Sequence, residues 1–188
     1  MNPPIDITNT VIRTKRCVLR PWKQEDLEDL FAYASVDGVG QPAGWTPHPD
    51  LAESQRVLDM FMESRRVFAL EFCGRVKGSV GIEKYNEERH PELDGLRCAE
   101  LGAILAKDLW GQGIMTEALQ EAIRFCFENL RLDAVLAGHR LDNLRSERMQ
   151  EKCGLRHYSF EPHTSAWGEA IPSETRMLTN EEWKAMRH

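Results

Sequence analysis

Nothing in this chain of 188 residues approaches the ~20 consecutive apolar residues that span a bilayer, so no membrane segment is expected. The opening Met1-Asn2-Pro3-Pro4-Ile5-Asp6 lacks the basic start and apolar stretch of a signal peptide, and the sequence predicts a cytoplasmic protein. Paired cysteines are missing too. The five present (Cys17, Cys73, Cys98, Cys126, Cys153) are scattered, with no C-x-x-C among them, which suits neither a disulfide framework nor a zinc site. Positive charge is in deficit: 30 acidic against 24 basic residues leave a net charge of −6, which argues against binding a nucleic-acid backbone. There is no G-x-x-x-x-G-K-[ST], and no G-x-G-x-x-G after an early strand with an acid downstream. His90 and Cys98 lack metal-ligand spacing, and no metal is predicted.

Internal repeats, low-complexity tracts and Gly/Ser linkers are also absent, so residues 1–188 are read as one domain. What is present is a mixture of strand and helix patterns. Thr14 to Arg20 alternates and is stopped by Pro21; Gln24 to Ala34 has helical spacing; the segment from Val36 to Pro49 is dense in turn formers and reads as a loop. Asp50 is the expected N-cap of a second helix, with Glu53 in capping-box position. Val67–Phe72 and Val76–Glu83 read as a hairpin turning over Cys73-Gly74-Arg75, and a further strand is expected around Ala99 to Lys107. Gly113 to Asn129 is the clearest helix, with Met115, Ala118, Leu119, Ala122, Ile123 and Cys126 along one face. A strand (Ala134–His139), a helix (Asn143–Lys152, closed by Gly154), two more strands (Leu155–Glu161, Glu174–Leu178) and a capped helix from Thr179 complete the pattern. The predicted class is α/β or α+β around a central sheet.

The strongest local signal is a strand that runs through Ile104-Leu105-Ala106 into a glycine-bearing turn and straight into the long helix. Unsatisfied N–H groups and the dipole make a helix start attractive to anions, and glycines at 111 and 113 keep side chains out of the way. A phosphate or pyrophosphate site is one meaning of this G-x-G; a tight turn and nothing more is the other.

Leu109-Trp110-Gly111-Gln112-Gly113-Ile114-Met115-Thr116-Glu117-Ala118-Leu119 resembles the pyrophosphate-binding segment of the GNAT superfamily of N-acetyltransferases. Leu19-Arg20-Pro21-Trp22, Gly78-Ser79-Val80-Gly81-Ile82, Ala99-Glu100-Leu101-Gly102, Asn143-Leu144-Arg145-Ser146 and Glu151-Lys152-Cys153-Gly154-Leu155 fall in order where the RimJ/RimL-type branch has similar segments. The resemblance implies the acyl-CoA N-acyltransferase fold, with coenzyme A lying between splayed parallel strands, the family's fourth and fifth. It implies that acetyl-CoA is the acetyl donor and a primary amine the acceptor. Ile104, Leu105 and Ala106 would grip the pantetheine arm, amides of Gly111, Gln112, Gly113, Ile114, Met115 and Thr116 would hold the pyrophosphate, and Asn143 would reach the pantetheine from the other side. Asn143 is equally suited to be a helix N-cap.

Two residues of the family pattern are missing. The tyrosine that many members use as general acid is matched by Gln150, and a strand glutamate that some use as base is matched by Gly138. Ser146, one turn after Asn143, is therefore the candidate donor to the leaving thiolate, the alternative being an ordinary helix serine. Glu100 is the candidate base, or else a plain strand carboxylate. Trp45 and His48, in the loop of turn formers, are candidates for the acceptor pocket; His139 and His163 are weaker candidates as bases. The acceptor is expected to be a protein N-terminal α-amine or a small-molecule amine, in a monomer or homodimer. A non-catalytic acyl-CoA-binding module is the rival of another class.

Overall fold

The computed structural model describes residues 1–187, and in it the alternating segments become strands. These are β1 (Ile12–Arg13), β2 (Cys17–Pro21), β3 (Val67–Phe72), β4 (Arg75–Glu83), β5 (Cys98–Leu105), β6 (Ala134–Arg140), β7 (Arg156–Phe160), β8 (His163–Thr164), β9 (Ala170–Ile171) and β10 (Ser173–Thr179). The helices are α1 (Leu27–Ala34), α2 (Leu51–Ser64), α3 (Ile114–Glu128), α4 (Leu144–Lys152) and α5 (Asn180–Ala185). Eight strands form one sheet in the order β1-β2-β3-β4-β5-β6-β10-β7, and β8 with β9 makes a separate hairpin. The family's fourth and fifth strands are β5 and β6 here, because β1 opens the sheet as an extra strand.

Alternation fixes what each face carries. Val80 and Ile82 of β4, with Ala99 and Leu101 of β5, turn into a core built on α3. Ala118, Leu119, Ala122 and Ile123 of α3 are buried there, each larger side chain contributing about 1.5–3 kcal/mol over exposure. The opposite face packs under α1 and α2, through Leu30, Tyr33, Leu58, Val67 and Ala69.

Local rules set the ends. Asp50 stands in extended conformation and accepts from the Glu53 amide at 2.9 Å. The reciprocal half of the expected capping box is absent, because the Glu53 carboxylate is taken by Arg56. Thr179 and Glu182 make the full box at α5. The β3–β4 hairpin turns on Cys73 and Gly74, both at positive φ (50° and 76°), as a two-residue hairpin loop requires. The expected first strand Thr14–Arg20 is shorter and shifted, since Thr14 instead closes a turn onto Cys17. Within the expected loop, Gln41–Ala43 forms one 3-10 turn.

The sheet is antiparallel throughout except between β5 and β6. Those two pair over Cys98–Ala134, Ala99–Val135 and Glu100–Leu136 and then part. β5 continues to Leu105, bonded to β4 alone. Its β6-facing backbone groups from Leu101 onward are left without a strand partner, and buried backbone polar groups need one.

Candidate active site

The gap between β5 and β6 is a cleft of about 770 Å³. At one end lies the turn before α3. Gly111 and Gly113 both have positive φ (76° and 73°), which an L side chain adopts only with strain. No side chain caps α3, so its first amides point outward as free donors. Arg16 ties the turn down: its Nε donates to Glu117 at 2.7 Å and its Nη1 to the Gln112 carbonyl at 3.0 Å. Basic groups from α4 gather at this end, where Arg145 stacks 3.6 Å from the Trp110 ring centroid and Arg148 and Lys152 line the cleft. An uncapped helix start, two left-handed glycines and a basic rim suit a pyrophosphate.

Of the three residues expected to grip the pantetheine arm, Ile104 and Leu105 line the cleft. Ala106 does not: it is buried, and its N–H is engaged by the Lys77 carbonyl at 2.7 Å. The Leu105 carbonyl accepts from the Trp110 indole at 2.9 Å. Gly111, Gly113, Ile114, Met115 and Thr116 line the cleft. Gln112 turns its side chain away, donating to the Asp108 carbonyl.

Asn143 caps α4 by accepting from the Ser146 amide at 3.3 Å, and it also borders the cleft. Its two readings are compatible, because the cap uses Oδ1 and leaves the Nδ2 donors free. Ser146 lines the cleft as well, and its Oγ accepts from Nε2 of Gln150 at 3.1 Å. Gln150, at the family's tyrosine position, is buried, with Nε2 also 3.3 Å from the Gly138 carbonyl.

Glu100 stands where β5 and β6 part. A Cβ on Gly138 would lie 3.6 Å from Glu100 Oε1, so the carboxylate of β5 leans over the glycine of β6. Burial pushes the Glu100 carboxyl above the usual range, against the pull of His90 and Arg89 and helped by repulsion from Glu83.

The other candidates are distributed unevenly. Trp45 walls the cleft and packs on Gly40, where a Cβ would lie 2.1 Å from its ring. His48 sits behind it, buried, with Nδ1 2.7 Å from Ser54 Oγ, and burial holds its pKa down. His163 of β8 borders the cleft beside Gly44. His139 is tied to Glu174 at 3.3 Å, and burial holds its pKa down despite that carboxylate. His139, Glu147 and Glu174 bring potential ligand atoms within 4.8 Å of one another. The Arg176 guanidinium already lies among them, 3.5 Å from Glu147 and 3.2 Å from Glu174.

Sequence reasoning missed Glu83 and the Arg145–Trp110 stack. Glu83 was legible as the polar member of an alternating strand; the stack, which joins residues far apart in the chain, was not.

A family model described as an acetyltransferase (GNAT) domain matches residues 16–156. The uncharacterized N-acetyltransferase p20 of Bacillus licheniformis is 25% identical over 143 residues, 72% of this chain and 76% of that one. Among solved structures, a GNAT-family acetyltransferase from Bacillus anthracis superposes with a TM-score of 0.79 at 18% identity, covering 92% of this chain and 100% of that one. Mycobacterium smegmatis RimJ, in complex with CoA-disulfide, gives 0.74 at 20% identity, covering 93% and 89%. At such identities the structures share the fold.

Proposed function

Because this chain belongs to the GNAT acetyltransferase family, and so takes its acetyl group from acetyl-CoA, we propose that the amine it acetylates is a protein N-terminal α-amine. The observation that carries the reading is the Glu100 carboxyl, half-buried over Gly138 and raised above the usual range by that burial. Deprotonating an acceptor is easier the closer the two pKa values lie. An α-amine titrates near ~8 and a lysine side chain near ~10.4, so a lysine acceptor would cost about 3 kcal/mol more to make nucleophilic at neutral pH.

On this reading Glu100 takes the proton of the acceptor ammonium, directly or through water. The freed amine nitrogen bonds to the acetyl carbon as the carbon–sulfur bond breaks, and the surplus proton that remains on that nitrogen passes to the departing thiolate, which the Ser146 hydroxyl stabilises with a hydrogen bond. Backbone amides near Ile104 polarise the thioester carbonyl. The free amides from Gly111 to Thr116, Gln112 included, hold the pyrophosphate, while Ile104, Leu105 and Asn143 flank the pantetheine arm. Trp45 walls the acceptor end.

The test is acetyl-CoA turnover on three acceptors: a short peptide with a free α-amine, the same peptide N-terminally blocked but carrying one lysine, and spermidine. The expected result is the highest kcat/KM on the free α-amine. Preference for spermidine would make the acceptor a small-molecule amine, and preference for the blocked peptide would remove the pKa argument.

A further inference from the structure

Three glycines lie side by side on the cleft face of the sheet. Gly81 of β4 and Gly102 of β5 are direct cross-strand partners. Gly138 of β6 follows Leu136, the partner of Glu100, by two residues, which places it level with Gly102 where the strands part. Glu83 and Glu100 are themselves direct partners, on the same face and at the same end of this row. A Cβ on Gly81 would lie 3.0 Å from Glu83 Oε1, and one on Gly138 would lie 3.6 Å from Glu100 Oε1. A Cβ on Gly102 would meet nothing within 4 Å. The two carboxylates thus lean over the outer glycines and leave the space above the middle one open.

Like charges directly opposite each other on a sheet repel, and half-buried carboxylates elsewhere in this protein are paired. Asp26 and Glu71 share Arg20 at 2.8 Å, and Glu117 holds Arg16 at 2.7 Å. Glu83 and Glu100 have no hydrogen-bond or ion-pair partner among the described residues. The charged groups around them act without contact: Arg66 on Glu83, and Arg89 and His90 on Glu100. Glu161 and Arg140 also border the cleft.

We propose that the open space above Gly102 is the acceptor-ammonium subsite, with Glu83 as its second carboxylate: Glu83 holds the positive charge while Glu100 takes the proton. The inference rests on the acceptor-amine reading of the cleft and names its substrate class. The site takes a primary amine that is cationic in free solution, and it discriminates against arylamines, which are neutral there. Burial raises the Glu83 carboxyl as it does that of Glu100, and an arriving ammonium favours the ionised form of each.

The probe is n-butylammonium chloride, titrated into CoA-saturated protein carrying carbon-13 glutamate, with n-butanol as the neutral control. Glu83→Gln and Glu100→Gln assign the two carboxyl resonances. The expected result is that both resonances move along one isotherm with the ammonium and neither moves with butanol. Each variant should weaken ammonium binding roughly 10- to 100-fold, as for loss of one charge-assisted hydrogen bond. In turnover, Glu83→Gln should raise KM for the amine by a similar factor with a smaller change in kcat, whereas Glu100→Gln should lower kcat. Movement of the Glu100 resonance alone, or an equal response to butanol, overturns the proposal. CoA binding is read separately by thermal shift in all three proteins, so failure of the donor reading is told apart from failure of the ammonium subsite.

Discussion

Ser146 Oγ accepts a hydrogen bond from Nε2 of Gln150, and a hydroxyl that accepts in this way keeps its own proton to give. Gln150 thereby holds a neighbouring donor at the wall of the cleft. Ser146→Ala should lower kcat roughly 10²- to 10³-fold, the usual cost of one positioned donor or acid, while CoA affinity stays near wild type. Near-normal turnover would mean that the thiolate leaves unaided or through water. Pre-steady-state acetyl transfer, separated from product release, is the measurement. At this scale the sequence showed residue types but not what they lean on. Gly111 and Gly113 were legible as glycines before a helix, and the reason read for them was space. Their backbone supplies another, since both φ values are positive. A Cβ at Gly111 would meet nothing within 4 Å, and one at Gly113 only Arg16. Likewise His48 was legible as a histidine in a loop; its bond to buried Ser54 comes from the packing of that loop against α2 and from no local pattern.

Elements whose signal is local were read closely. The α3 periodicity, the Asp50 and Thr179 caps and the Cys73-Gly74 turn each depend on residues within a few positions of one another. The parting of β5 from β6 depends on register between strands about thirty residues apart, and the β8–β9 hairpin has too few residues to set a period. The cluster under α4 is equally non-local. Glu174 of β10 meets His157 of β7 at 2.8 Å, His139 of β6 at 3.3 Å and Arg176 at 3.2 Å, with Glu147 and Glu151 of α4 near Arg176. Burial alone would raise the Glu174 carboxyl; the His157 hydrogen bond and the Arg176 charge outweigh it and hold it below the usual range. A carboxylate depressed in the folded state stabilises above its unfolded pKa, about 4.3, and loses that stabilisation as pH falls through its folded value. His139, held down by burial while Glu174 pulls it up, takes up its proton at higher pH than the carboxylate does, so the Glu174 contribution is read below about pH 5. In that range urea midpoints should fall more steeply for wild type than for Glu174→Gln, which starts lower. Parallel profiles would show that the acid sensitivity lies elsewhere.

At the scale of the whole molecule, a net charge of −6 gives no hint of a site for a polyanion, because it averages over the surface. The fold concentrates positive charge locally: Arg16 braces the turn before α3, Arg145 lies on Trp110, and Arg148 and Lys152 of α4 face the same end of the cleft. None of this clustering exists until β2, α3 and α4 are assembled, so CoA is a ligand of the folded state. Ligand at 100 times its Kd should stabilise that state by about 2.7 kcal/mol, a rise in Tm of roughly 5–10 °C for a chain of this length. Because the phosphates would be held partly by exposed cations as well as by backbone amides, the rise should shrink with salt at fixed CoA. Screening shortens from about 10 Å at 0.1 M to about 3 Å at 1 M ionic strength. The amides of α3, which on the proposed reading bond the phosphate directly, should leave a residual shift at high salt. Differential scanning fluorimetry with and without CoA, at both salt concentrations, reads all of this at once. A rise that does not depend on salt would assign the phosphates to the amides of the turn alone. No rise under either condition would remove CoA from this end of the cleft.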